Sequence, residues 1–186
     1  MAIDEPAFTV VSHTKSFDVR RYDPVIVAET TIDGDWGEAG TQGFRRLAGY
    51  IFGGNKSRTK IAMTAPVGTQ DGKQVPKATP DTVSQSGARM WVVTFTMPAR
   101  WTLATLPVPD DARVTLRQVP ARLVAVKRVG GWWSAESFAK ESKLFLLELA
   151  KAGLQPTRSP PVLARYDPPW TPFFLRRNEI LVEVVQ

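Results

Sequence analysis

The chemically richest stretch of the chain is residues 164–179, ARYDPPWTPFFLRRNE. Pro168, Pro169 and Pro172 each lack an N–H and fix φ, so this stretch fits neither a helix interior nor a central strand. It reads as a stiff, irregular segment that holds out Trp170, Phe173 and Phe174, followed by Arg176 and Arg177. A guanidinium fork matches a carboxylate bidentately, so the stretch offers a rigid apolar plate with anion donors beside it. The same residues also have a structural reading. The aromatics can pack the loop onto a core, and the arginines can pair with Glu179 or Asp167 to fix it.

Other side chains carry possible ligand chemistry. Arg45 and Arg46 are cations on an expected helix, with a solvated surface as the alternative role. Met63 offers a thioether that could reach a metal or fill the core. Tyr50 offers an aromatic wall or a phenolate. His13 is the chain's one histidine and, by chemistry, the obvious metal ligand. With no cysteine, a disulfide framework, a Cys zinc site, an iron–sulfur cluster and covalent CxxCH attachment are all excluded. A Ser-His-Asp arrangement would have to run through His13, and no catalytic residue is assigned.

The 186 residues suit one domain, and 43% hydrophobic with 23% charged is ordinary for a globular protein. The net charge of +6 comes mostly from scattered pairs, Arg20–Arg21, Arg45–Arg46 and Arg176–Arg177, with a looser Lys56, Arg58, Lys60 group. That pattern fits a solvated basic surface better than a nucleic-acid partner, and no helix-turn-helix, zinc-finger or RRM signature is present. No apolar run reaches the eighteen or so residues a membrane helix needs, and the acidic first twenty residues do not read as a signal peptide. The expected location is the cytoplasm.

The elements that must position these residues come in two copies. Residues 17–32 read as strand, turn at Asp23–Pro24, strand; residues 114–129 repeat the plan around Pro120. Each is followed by Gly-containing punctuation and tryptophan, DGDWGE and GGWWSAE, and then by a helix. The first helix is expected over 36–52, with Trp36, Phe44, Leu47 and Ile51 on one face; the second follows a Ser134 cap and stops before Gly153. Strands are expected at 60–69 and 90–97, then at 162–166 and 179–185. Half-repeats of about 17–98 and 112–186 result, preceded by an arm at 1–16 and interrupted by a polar loop, expected to be mobile, at 70–88. Neither half can easily bury its faces alone, so the two should share one core in a single domain. Gly37, Gly40, Gly43 and Gly49 make the first helix costly unless something approaches its backbone closely.

Several segments in order, GFRRLAGYIFGGN, KIAMTAPV, VPARLVAV and YDPPWTPFFLRRNE with ILVEVV, closely resemble the SOUL haem-binding family. The resemblance runs from Phe17 to Val185, which leaves His13 outside it. It implies an α+β fold in which duplicated β-α-β-β units form a distorted antiparallel barrel flanked by two helices. This pseudo-two-fold plan is similar to that of gyrase-inhibitor-like domains. It also implies non-covalent haem or other tetrapyrrole binding in a shallow apolar cleft, for carriage, buffering or sensing, with no shared axial histidine. Haem is a flat apolar disc with two carboxylates at one edge, which is what the plate and the arginines could meet. Burying roughly 300 Å² of such a ligand is worth about 7 kcal/mol gross, before association costs. Three other readings stay open. One is an effector-binding module for an amphipathic or cationic small molecule, with Glu38 or Glu179 facing the cleft. Another is a protein- or membrane-surface module built on the aromatic–arginine segment. The third is haem-linked turnover, for which no distal histidine is visible.

Overall fold

The computed structural model describes residues 4–72, 89–167 and 171–185. Among the described residues, ten strands and two long helices follow in chain order. β1 (Phe8–His13), β2 (Asp18–Tyr22) and β3 (Val25–Asp33) precede α1 (Trp36–Ile51), β4 (Val67–Asp71) and β5 (Met90–Thr96). β6 (Thr115–Val119) and β7 (Arg122–Val129) lead into α2 (Ala135–Lys151). The short β8 (Gln155–Pro156), then β9 (Val162–Arg165), a 3₁₀ turn (Phe173–Leu175) and β10 (Asn178–Val185) complete the chain.

All strand pairs are antiparallel, in the order β1-β2-β7-β10-β9-β4-β5-β3-β6, with β8 beside β10. Setting β1 aside, exchanging β2 with β6, β3 with β7, β4 with β9 and β5 with β10 reproduces the same order in reverse. The duplication is therefore a true pseudo-two-fold, with its axis between β4 and β9. The two halves interlock: β2 pairs with β7, and β3 with β6.

That interlocking forces the sheet to curl. β2 and β3 lie six strand spacings apart along the sheet, about 29 Å if it were flat. Yet the link from Tyr22 to Val25 can span no more than about 11 Å. The sheet curls into a half-barrel, with the β2–β3 and β6–β7 links spanning the seam. Both helices pack outside. α1 places Leu47 and Ile51 on Ala28, Val93 and Phe95, and α2 places Phe138, Phe145 and Leu149 on Ala125, Leu163, Ile180 and Val182. Trp36 joins the α2 cluster to a smaller one of Ile32, Ala39 and Trp91, stacked on Phe138 at 5.4 Å, edge-on to Trp91 at 4.8 Å and donating from its indole to the Trp133 carbonyl at 3.0 Å. Inside the curl, Arg20, Tyr22, Val92, Val124, Ala164 and Glu179 are buried on the face turned away from both helices.

Two expectations need correction. Residues 60–66 are not strand; β4 begins at Val67, because Pro66 cannot donate to a ladder. Thr64 instead bonds the Thr96 carbonyl and bridges to Asp4. The N-terminal arm is also partly regular, since β1 adds an exposed edge strand to β2. The loop expected at 70–88 lies outside the described residues apart from the end of β4 and residue 72.

The glycine-rich helix has a specific cause. A Cβ on Gly43 would stand 2.5 Å from a Val93 methyl, whereas one on Gly49 would meet nothing within 4 Å. Gly43→Ala is expected to lower the melting temperature, because overpacking of about 1–3 kcal/mol outweighs the helix-propensity gain of about 1 kcal/mol. Gly49→Ala is expected to raise it through that same gain of up to about 1 kcal/mol. Paired thermal melts check both signs.

Candidate functional site

β10 opens with a buried carboxylate. Glu179 is 0% exposed and accepts from Arg20 at 3.0 and 3.3 Å, from the Tyr166 hydroxyl at 2.7 Å and from Arg177 at 3.3 Å. Arg20 also reaches Asp18 at 3.1 Å and the Tyr22 hydroxyl at 3.4 Å, and lies 4.5 Å from the centre of the Phe8 ring. A carboxylate with no solvent persists because three elements converge donors on it. Arg177 is committed here as well. It lies 3.7 Å over the Tyr166 ring and pairs with Glu5 at 2.9 Å, and its backbone N–H donates to Asp167. The loop-fixing reading of Arg177 therefore describes its contacts, although its Nε stays buried without an acceptor among the described residues.

Directly above this network is a shallow cleft of about 350 Å³, lined by Arg128, Val129, Gly130, Leu175, Arg176, Arg177 and Asn178. Arg176 donates to the Thr171 carbonyl at 2.7 Å and lies 4.4 Å over the Trp132 ring. Trp132 is 73% exposed, and Leu175 and Phe174 are exposed on the 3₁₀ turn. The structure thus builds an apolar surface with a guanidinium on it, from the RRNE block and from the Gly-Gly-Trp-Trp segment after β7. Arg128, which lines this cleft, and Trp132, which lies under Arg176, were not among the sequence candidates. The available signal was the duplicated tryptophan: Trp36 is used between the helices, whereas its counterpart segment leaves Trp132 in solvent.

The remaining candidates are dispersed. Trp170 lies outside the described residues, as does the side chain of Phe173, whose backbone belongs to the 3₁₀ turn. Arg45 is exposed on α1. Arg46 bonds Thr30 Oγ1 at 2.7 Å and the Thr31 carbonyl at 3.2 Å, and pairs with Asp111 at 3.6 Å. Met63 is 37% exposed in the irregular stretch before β4. His13 ends β1 with Nδ1 2.6 Å from Asp18 and lines neither of the two clefts described here. Tyr50 is core: its hydroxyl donates to the Pro107 carbonyl at 2.9 Å, and burial pushes its pKa up to about 12. It is not a phenolate ligand. Glu38, proposed from sequence as a cleft acid, stands in the first turn of α1.

All three tyrosines are held protonated. Burial is the leading cause at Tyr22 and Tyr166 as at Tyr50, and Glu179 beside the first two opposes a second negative charge. Unfolded tyrosines release protons near pH 10. Above that pH the unfolded chain holds fewer protons than the native one, so stability falls as pH rises from about 10 towards 12. Absorbance at 295 nm should stay flat through pH 10 and then rise together with loss of the near-ultraviolet dichroism.

A second cleft, of about 710 Å³, lies at the seam between the residue 4–7 arm, the β2–β3 link and the segment after β5. Among the described residues no group of three or more His, Cys, Asp or Glu could hold a metal, and no helix is long and apolar enough to cross a membrane.

Several known structures share this fold. The EcmrR C-terminal domain matches with a TM-score of 0.60 at 10% identity, over 90% of this chain and 96% of that one. A hydrolase from Listeria innocua matches at 0.60 and 11%, over 94% of each chain. SAV2435 bound to tetraphenylphosphonium matches at 0.52 and 11%, over 91% of this chain and 93% of that one. At such identities the likeness is one of fold alone. Heme-binding protein 2 from Mus musculus is 42% identical over 53 residues, and the human protein of that name matches equally. Each match spans 28% of this chain but only 26% of the relative's length. The model of the SOUL heme-binding protein family matches residues 3–183, nearly the whole curled sheet with both its helices, and the chain belongs to that family.

Proposed function

We propose that this chain binds haem or a related tetrapyrrole non-covalently and reversibly in the cleft where Arg176 lies over Trp132. That pairing carries the reading. An exposed apolar ring and Leu175 offer contact area to a flat macrocycle, while Arg176 and Arg128 offer donors to carboxylates at its edge. Membership of the family and the name of the partial relatives support the same ligand class. A cleft this open suits exchange of the ligand with other carriers, so carriage or buffering fits better than long-lived retention. No histidine lines it, and no catalytic role is proposed.

Bound haem would supply iron, but the cleft's own contribution is apolar contact and carboxylate pairing. Hemin should therefore titrate the protein with saturable one-to-one Soret and tryptophan-quenching signals. Metal-free protoporphyrin should bind within a few-fold of hemin, because no axial ligand is required. Non-saturating spectra would leave the haem reading without support.

A further inference from the structure

The sheet ends in two edge strands, and they differ. β6 carries Arg117 and is followed by Pro120, two features that blunt an edge against pairing. β1 has neither. Its sequence, FTVVSH, is exposed throughout and holds no lysine, arginine, acid or proline, and Phe8, Val10 and Val11 are among the exposed large apolar side chains. Among the described residues no strand pairs with its outer edge. We infer that β1 pairs antiparallel with β1 of a second copy of this chain, giving a two-fold dimer whose sheet is continuous.

The hydrogen-bond pattern selects the register. The Asp23 N–H donates to the Ala7 carbonyl at 3.1 Å, and Phe8 lies opposite Tyr22. Backbone groups of successive strand residues point to opposite edges, so Ala7 and Thr9 bond β2 while Phe8 and Val10 turn their N–H and C=O groups outward. The bridge from Asp4 to Thr64 and the bulge between Val10 and Ser12 bound this open stretch. Outward groups of two antiparallel copies meet when Phe8 of each lies opposite Val10 of the other, each such pair exchanging both of its bonds. Thr9 then faces its own counterpart on the two-fold axis, in a pair without backbone bonds. An aromatic facing a β-branched residue, and threonine facing threonine, are both favourable cross-strand pairs. Residues 6–12 carry no charge, so no like charges meet at the axis, and the same register sets Glu5 of one copy opposite His13 of the other. β1 is held ready for the partner: Phe8 lies 5.2 Å from the Tyr22 ring and 4.5 Å from the Arg20 guanidinium, so little ordering is left to pay on association. A single strand pair is a small interface, which makes the dimer reversible and concentration-dependent. This inference stands on the edge of the sheet and does not depend on the haem reading.

Sedimentation velocity of the full chain over a wide concentration range is the test. The 20.6 kDa monomer should pass to twice that mass and no further. Val10→Pro removes an outward N–H and no bond to β2, so it should melt as the wild type does while dimerising roughly tenfold or more weakly, the scale of one lost hydrogen bond in each copy. Thr9→Lys and Thr9→Glu should each weaken the dimer by setting like charges face to face across the axis. An equimolar mixture of those two variants should restore it, because this register places residue 9 opposite itself. A chain that stays monomeric at every concentration would overturn the proposal. So would a dimer indifferent to these substitutions, a mixture no tighter than either variant alone, or assembly past the dimer through β6.

Discussion

Glu179→Ala should destabilise the protein by about 3–5 kcal/mol, the cost of breaking a buried charge network by removing one partner. The carboxylate is fully buried, and its loss leaves Arg20, which is itself 6% exposed in its side chain, without its main counter-charge. Tyr166 loses its acceptor as well. Urea denaturation with the m-value monitored is the check. Arg20→Met/Glu179→Leu, which removes both charges, should recover part of the loss, since two apolar side chains cost less there than one unpaired ion. A loss below about 1 kcal/mol in the single variant would mean that the network is not as closed to water as its geometry indicates.

The second large effect separates the two neighbouring arginines. Arg176→Ala should weaken hemin and protoporphyrin binding by roughly tenfold or more, the scale of one charge-assisted bond in a part-desolvated setting, with little change in stability. Arg177→Ala should do the reverse. Its guanidinium joins Glu5, Glu179 and the Tyr166 ring, so its loss should show first in the urea midpoint. Soret titration and denaturation on the same two variants test the division. If both lost affinity equally at unchanged stability, Arg177 would have to be reassigned from the scaffold to the ligand.

The fold was legible because duplication repeats every local signal. Pro24 and Pro120 mark matching links, and the Ser134 cap is present with its capping box at Ser137. Both helices start where the glycine and tryptophan punctuation places them. The interlocking of β2 with β7 was not legible, since pairing partners a hundred residues apart leave no periodic trace; the short links reveal it only once the strand order is known. β1 escaped because every residue in it is exposed, so no alternation marks a buried face. The site was legible in chemistry but not in membership. Arg176 and Arg177 line the proposed cleft, whereas on α1 Arg45 is exposed, Arg46 bonds Thr30 and Tyr50 donates to the Pro107 carbonyl. Sequence spacing could place them on a helix but could not tell which face of the sheet that helix would cover. Glu179 was visible as an acid in the RRNE block. Its neutralisation by Arg20, 159 positions away, was not.

The most direct test of the central claim is an amide ¹⁵N–¹H spectrum of the labelled protein titrated with diamagnetic gallium protoporphyrin. The account expects saturable shifts centred on Arg128–Gly130 and Leu175–Asn178, with the Trp132 indole among the most affected signals. Shifts confined to Asp4–Ala7, Asp23–Ile26 and Met97–Leu103, or spread over α1 around Arg45, would place the tetrapyrrole elsewhere and contradict it.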